Sequence, residues 1–189
     1  PQVLPKFDPH ETLAVDLETY DPNLTNRGPG WAIGDGYIVG IAIASDKWSG
    51  YLPIRHENGG NLEEELVVRW LKRTFENHKG TMVFHNALYD VGWLKREGVE
   101  LTCTIRDTMF AAPLFDENRW SYSLNNLGMD FLAESKDETL LENAAKAWGV
   151  NPKGGMWALP AKYVGPYAEQ DAVLTLKLWK IFKARIEIE

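Results

Sequence analysis

The chain has 189 residues, 44% of them hydrophobic and 25% charged, with a formal net charge of −7 at pH 7. That length supports one domain with a substantial core and is short for two, no apolar run nears the roughly 20 residues that span a bilayer, and the N-terminus has no signal-peptide pattern. The acidity speaks against a broad basic footprint for sequence-neutral binding to duplex nucleic acid, and a single cysteine, Cys103, excludes an internal disulfide and points to a reducing compartment.

Residues 11–17 mix β-branched and apolar side chains and predict a strand that carries Asp16 and leads into Glu18. One residue apart on a strand, these two carboxylates project from one face while Val15 and Leu17 face the core. Such a pair repels unless a cation lies between its members, although for an isolated D-x-E an exposed acidic strand face is an equal explanation. Residues 21–36, rich in Gly, Pro and Asn, predict a long surface loop. The run YIVGIAIA (37–44) is the strongest strand signal, followed by a turn and a second strand over 50–54. Asn61 and Glu64 have capping-box spacing ahead of Leu62, Leu66, Val67, Trp70, Leu71 and Phe75, which recur at helical period. TMVF (81–84) predicts a short buried strand running into Asn86, a natural N-cap for a helix over 87–97 that stops at Gly98. Beyond Asp107 the pattern is helical: 108–115 capped by Asp107, a helix from Ser123 to Leu132, one opened by Asp137 and ending near Gly149, and a long one over 167–185 with Pro166 at its first turn. Residues 149–165 are the best candidate for a mobile loop. Strands first, one helix crossing between strands and helices last imply an α/β domain over 1–189, a mixed central sheet with helices on both faces.

Three motifs carry chemistry. Asp16 and Glu18 form the first, Asn86, Tyr89 and Asp90 the second, and Tyr167 and Asp171, four apart on one helix face, the third. Taken singly, each has a structural explanation; Asp90, for example, gains from the helix dipole. Together, four carboxylates supply oxygen ligands for two hard cations, and a tyrosine can aim a water. The four histidines show no ligand spacing. Trp31, Trp120 and Trp157 lie in predicted loops, where stacking on single-stranded bases and covering the core are both open. Glu169 is expected on a solvated face.

On these motifs the chain resembles the DEDD exonuclease superfamily, with its ribonuclease H-like fold, in the tyrosine subtype. The histidine subtype places its histidine five residues before the last aspartate, where this chain has Pro166. Val83-Phe84-His85-Asn86, Asp107-Thr108-Met109, Ser123-Leu124 and YAEQDAVLTL (167–176) make it most similar to the proofreading domain of bacterial and phage family A DNA polymerases. Residues 28–36 and 146–164 depart from the family pattern. The resemblance implies a 3′–5′ exonuclease acting on single-stranded or frayed DNA with two divalent cations, Mg²⁺ or Mn²⁺. It implies that Asp16, Glu18, Asp90 and Asp171 hold the metal, that Tyr167 orients the attacking water, and that Thr19, Leu24, Asn86 and Tyr89 bind the terminal nucleotide. The implied partners are a DNA 3′ end and a linked DNA polymerase, and the implied setting is the cytoplasm of a bacterium or phage-infected cell. The start at Pro1 fits a domain from a longer polymerase, though a trimmed chain would begin the same way. Two rivals stay open: a free-standing ribonuclease D-like enzyme acting on RNA, and a non-catalytic scaffold module.

Overall fold

The chain forms five strands: β1 (Leu13–Tyr20), β2 (Tyr37–Ala44), β3 (Ser49–Pro53), β4 (Thr81–Phe84) and β5 (Thr104–Asp107). They make one sheet in the order β3-β2-β1-β4-β5 in the computed structural model, which describes residues 3–186. β1 pairs antiparallel with β2 and parallel with β4, and β4 pairs parallel with β5, so β1 lies at the centre of a mixed sheet. The β1–β2 register shifts between Glu18 and Thr19, a bulge at the end of the acidic motif.

Helices cover both faces. On one side, Leu13, Val15, Leu17, Ile41 and Ile43 pack with Val67, Leu71 and Phe75 of α3 (Glu64–Glu76) and Trp93 and Leu94 of α4 (Ala87–Arg96). Phe75 is fully buried, and truncating it to alanine would cost about 3–5 kcal/mol. On the other side, the small residues Ala14, Ala42 and Ala44 let the long helix α8 (Ala161–Ile186) lie close to β1, β2 and β3. Two further helices, α6 (Leu124–Leu132) and α7 (Thr139–Trp148), pack against α8.

Several local expectations are corrected. The 21–36 segment holds two short helical turns, α1 (Leu24–Arg27) and α2 (Gly30–Ile33). Glu63, not Asn61, caps α3, its carboxylate accepting from the amides of Glu65 and Leu66, because the Asn61 amide is committed to the backbone of His56 at 2.8 Å on both sides. Asn86 does not cap α4 with its side chain: its backbone is left-handed (φ 72°), and Asp107 accepts from the amides of Asn86 (3.0 Å) and Ala87 (2.7 Å) instead. Asp107 also caps α5 (Thr108–Ala111) through the Met109 amide, as expected, but that helix gives way after Ala111 to a 3-10 turn, Ala112–Leu114. β5 carries few apolar residues and was not expected. Pro166 lies inside α8 rather than at its start; it forfeits one backbone hydrogen bond, and the buried residues Val164, Tyr167 and Ala168 keep the helix continuous across it.

Residues 149–160 are anchored rather than loose. The Glu57 amide bonds Trp157 O at 2.9 Å, Asn58 bonds Ala158 O, and buried His56 bridges Leu159 O (2.9 Å) and the Tyr51 hydroxyl (2.7 Å). Glu169 is half-buried, accepting from the Ser49 hydroxyl at 2.6 Å, so its expected solvation is also wrong.

Candidate active site

The sheet and α8 bring the separated motifs together. β1 projects Asp16 and Glu18 toward α8, where Asp171 meets them. One carboxylate oxygen from each of the three lies within 4.8 Å of the other two. Glu18 and Asp171 are each only 7% exposed. Asp90, in the first turn of α4 and 4% exposed, stands outside this closest group, yet the charges of Asp16 and Glu18 still act on it. Among the described residues, Asp90 Oδ2 is buried with no hydrogen-bond partner.

Burial and mutual repulsion govern the charges. Burial first, then Asp171, pushes the Asp16 carboxyl well above the usual carboxylate range. Burial followed by Asp16 does the same to Glu18, and burial with Asp16 and Glu18 to Asp90. Buried carboxylates gathered like this, only partly offset by a lysine, favour their protons over their charges. They are oxygen donors only, a set suited to a hard cation.

Tyr167 lies one turn before Asp171 on α8, with its ring in the core on the α8 side. Burial, reinforced by Asp171, raises its phenol to about 12, so the hydroxyl keeps its proton at neutral pH. Its hydroxyl accepts from Lys136 Nζ at 2.9 Å. The same ammonium donates to Asp171 Oδ2 at 3.3 Å and lies 3.0 Å from Oδ1, the latter without a hydrogen bond's geometry. Lys136 sits between α6 and α7, in a stretch with no helical or strand pattern. No motif spacing links it to residues 31 and 35 positions later, and no local pattern marks it. Tyr51 was missed likewise: it reaches under the site from β3, close enough that Glu18 and Asp16 add to the burial that raises its phenol.

Beside the carboxylates runs a groove of about 380 Å³, lined by Leu24, Pro29, Trp31, Asn86, Leu88 and Tyr89. The Tyr89 hydroxyl donates to Asp21 at 2.8 Å and accepts from the Thr19 hydroxyl at 2.9 Å, and burial pushes its phenol up to about 12. Asp21 also accepts from the Gly30 amide, and Arg96 binds the carbonyls of Gly30 and Asp35. The glycine-rich loop is thereby latched to α4, and the Trp31 ring lies against Gly92. Of the other two loop tryptophans, Trp157 packs against Tyr20 with ring centroids 4.5 Å apart and planes tilted by 56°, and Trp120 is fully exposed. Thr19, Leu24, Asn86 and Tyr89 thus come together at one rim, on residues contributed by β1, the loop and α4.

Known proteins resemble this chain in sequence and in fold. The chain is 41% identical over 179 residues to a DNA-directed DNA polymerase of Pseudomonas phage M6, a match covering 93% of this chain and 27% of that protein. It is 32% identical over 126 residues to DNA polymerase I of Treponema pallidum (strain Nichols), covering 65% of this chain and 12% of that protein. The chain therefore spans about a quarter or less of these relatives. Among solved structures, Brucella melitensis NrnC with bound Mg²⁺ superposes with a TM-score of 0.58 at 16% identity, over 94% of this chain and 74% of that one, a likeness of fold. Residues 3–187, nearly the whole sequence, match the family model for 3′-5′ exonuclease. By that match and by its identity to the phage polymerase, the chain belongs to the 3′-5′ exonuclease family of DNA polymerases, a nuclease domain with a ribonuclease H-like fold.

Proposed function

We propose that this domain removes nucleotides from the 3′ end of single-stranded or frayed DNA, with two divalent cations, Mg²⁺ or Mn²⁺, as the proofreading module of a longer DNA polymerase. One observation carries the reading: three carboxylates from β1 and α8 converge within 4.8 Å, with a fourth buried beside them that leaves its Oδ2 without a partner among the described residues. Without a cation that arrangement is costly; with one, every unsatisfied oxygen has a use. Asp16, Glu18 and Asp171 would hold one cation, and Asp16 with Asp90 the second. The chemistry such cations supply is a lowered pKa for the attacking water and neutralisation of charge at the phosphodiester.

The chain's own side chains would do the rest. Tyr167, protonated throughout the neutral range, would orient the water by hydrogen bonding rather than take its proton. The groove would hold the terminal nucleotide, with Leu24 at its rim and Tyr89 held by Thr19 and Asp21. An acidic surface offers no long basic track, so binding would be limited to a few terminal nucleotides, and a duplex end would have to fray at about 1–2 kcal/mol per base-pair step before entering. The polymerase relatives support a linked polymerase domain. Among the described residues, no helix is long and apolar enough to cross a membrane.

Digestion of 3′- and 5′-labelled DNA and RNA strands tests the reading. Stepwise loss from the DNA 3′ end is expected, fastest on single strands, slower on mismatched ends and slowest on paired ends. Equal rates on blunt duplex and single strands, or preference for RNA, would overturn the assigned substrate.

A further inference from the structure

The lysine between α6 and α7 has no role in the reading above, yet it is built into the site from both sides. Lys136 is largely buried, its side chain 9% exposed, and its ammonium contacts the Tyr167 hydroxyl, both Asp171 oxygens and, at 4.6 Å, the Tyr167 ring. The backbone around it is fixed independently of that side chain. Gln170, one residue before Asp171, donates to Ser135 O at 3.3 Å and accepts from the Asp137 amide at 3.1 Å. Asn125 accepts from the amide of Lys136 itself. α8 thus holds the lysine-bearing segment through a residue adjacent to the carboxylate that the lysine neutralises.

We propose that Lys136 is a resident counter-ion of the acidic site: it holds Asp171 and Tyr167 in place when no cation is bound, and it opposes a divalent cation for Asp171. This inference rests on reading the carboxylates as a cation site. Its physical basis is that one ammonium and one divalent cation cannot both sit against the same buried carboxylate without strong repulsion. At an effective dielectric near 20, a unit charge a few ångströms away changes the binding constant of a cation by at least about tenfold. Lys136 is therefore a positioning residue, and it sets how much free cation the domain needs.

Mn²⁺ alone, titrated calorimetrically into the purified domain, is the probe. Lys136→Met and Lys136→Gln should bind Mn²⁺ at least about tenfold more tightly than the unaltered chain, and both should melt lower without metal. Lys136→Arg, which keeps the charge, should return the affinity toward its original value. In an Asp171→Asn background the Lys136→Met gain should vanish, because the contested carboxylate is gone. A purely structural lysine would lower the metal-free melting temperature and leave the Mn²⁺ dissociation constant unmoved. Affinity unchanged or weakened in both neutral variants would overturn the counter-ion role, while the cation site itself would stand. No Mn²⁺ binding by the unaltered chain would overturn both.

Discussion

Replacing Tyr167 with phenylalanine separates chemistry from packing at this site. The ring is 8% exposed and packs in the α8-side core, and phenylalanine preserves that burial. What is lost is one hydroxyl, whose recorded bond is the 2.9 Å contact from Lys136, and Lys136 keeps Asp171 as a partner. A hydrogen bond to a charged group contributes about 1.5–3 kcal/mol, and the retained partner places the expected loss near the lower end. For a domain of this size that lowers the melting temperature by roughly 3–6 °C. Against a total stability of about 5–15 kcal/mol the protein stays almost fully folded at assay temperature. If Tyr167 orients the attacking water, turnover should nevertheless fall about 100- to 1000-fold, the range for a single positioned catalytic group. The assay is single-turnover release of the 3′-terminal nucleotide, run beside a thermal melt of the same preparation. Full activity in the variant would make Tyr167 a core tyrosine and refute its placement in the chemistry. A melting temperature lower by more than about 10 °C would show that the hydroxyl's contribution had been misjudged.

Three further expectations concern metal, pH and the groove. Activity should vanish in EDTA and return with Mg²⁺ or Mn²⁺ but not with Ca²⁺, whose longer bonds and larger coordination number suit the site poorly; robust hydrolysis in excess chelator would contradict a cation requirement. Because the Asp16 carboxyl is raised in the folded state, the native protein holds that proton more tightly than the unfolded chain does, so metal-free stability falls as pH climbs above the unfolded carboxylate value near 4. Metal-free Asp16→Asn should therefore melt above the unaltered chain at pH 7, with the gap closing below about pH 4; a lower melting temperature at pH 7 would make Asp16 a structural residue. In Gly92→Ala a Cβ would meet the Trp31 ring at 2.3 Å, displacing the tryptophan from the groove. KM for single strands should rise several-fold with kcat little changed, and an unaltered KM would remove Trp31 from substrate binding.

Much of this site was legible because its signals are local. A D-x-E on an apolar strand has one geometry, and a tyrosine one turn before an aspartate shares its helix face whatever lies around it. The same locality located β2, β4, α4 and the glycine that ends α4. What escaped depends on tertiary contact. Sequence position marks Asp107 as the cap of its own short helix, and its second duty, capping α4 across the sheet, is invisible without the β4–β5 pairing. The usual position of proline places Pro166 at a helix start, whereas burial of its neighbours carries the helix through it. Lys136 escaped because its partners are supplied by α8, and only the docked helix turns an unremarkable surface-type residue into part of the site.

The dependence on α8 also bears on how the domain comes into being. Asp16 and Glu18 sit on the central strand and are synthesised early, whereas Tyr167 and Asp171 arrive on a helix that must fold down over β1, β2 and β3. A nascent chain emerging from the ribosome has no complete acidic cluster until that helix has left the exit tunnel and docked. Nor would a chain truncated before α8 have one. On the roles proposed for these residues, a product cut short of α8 would lack the means to cut and would pose no threat as a stray nuclease.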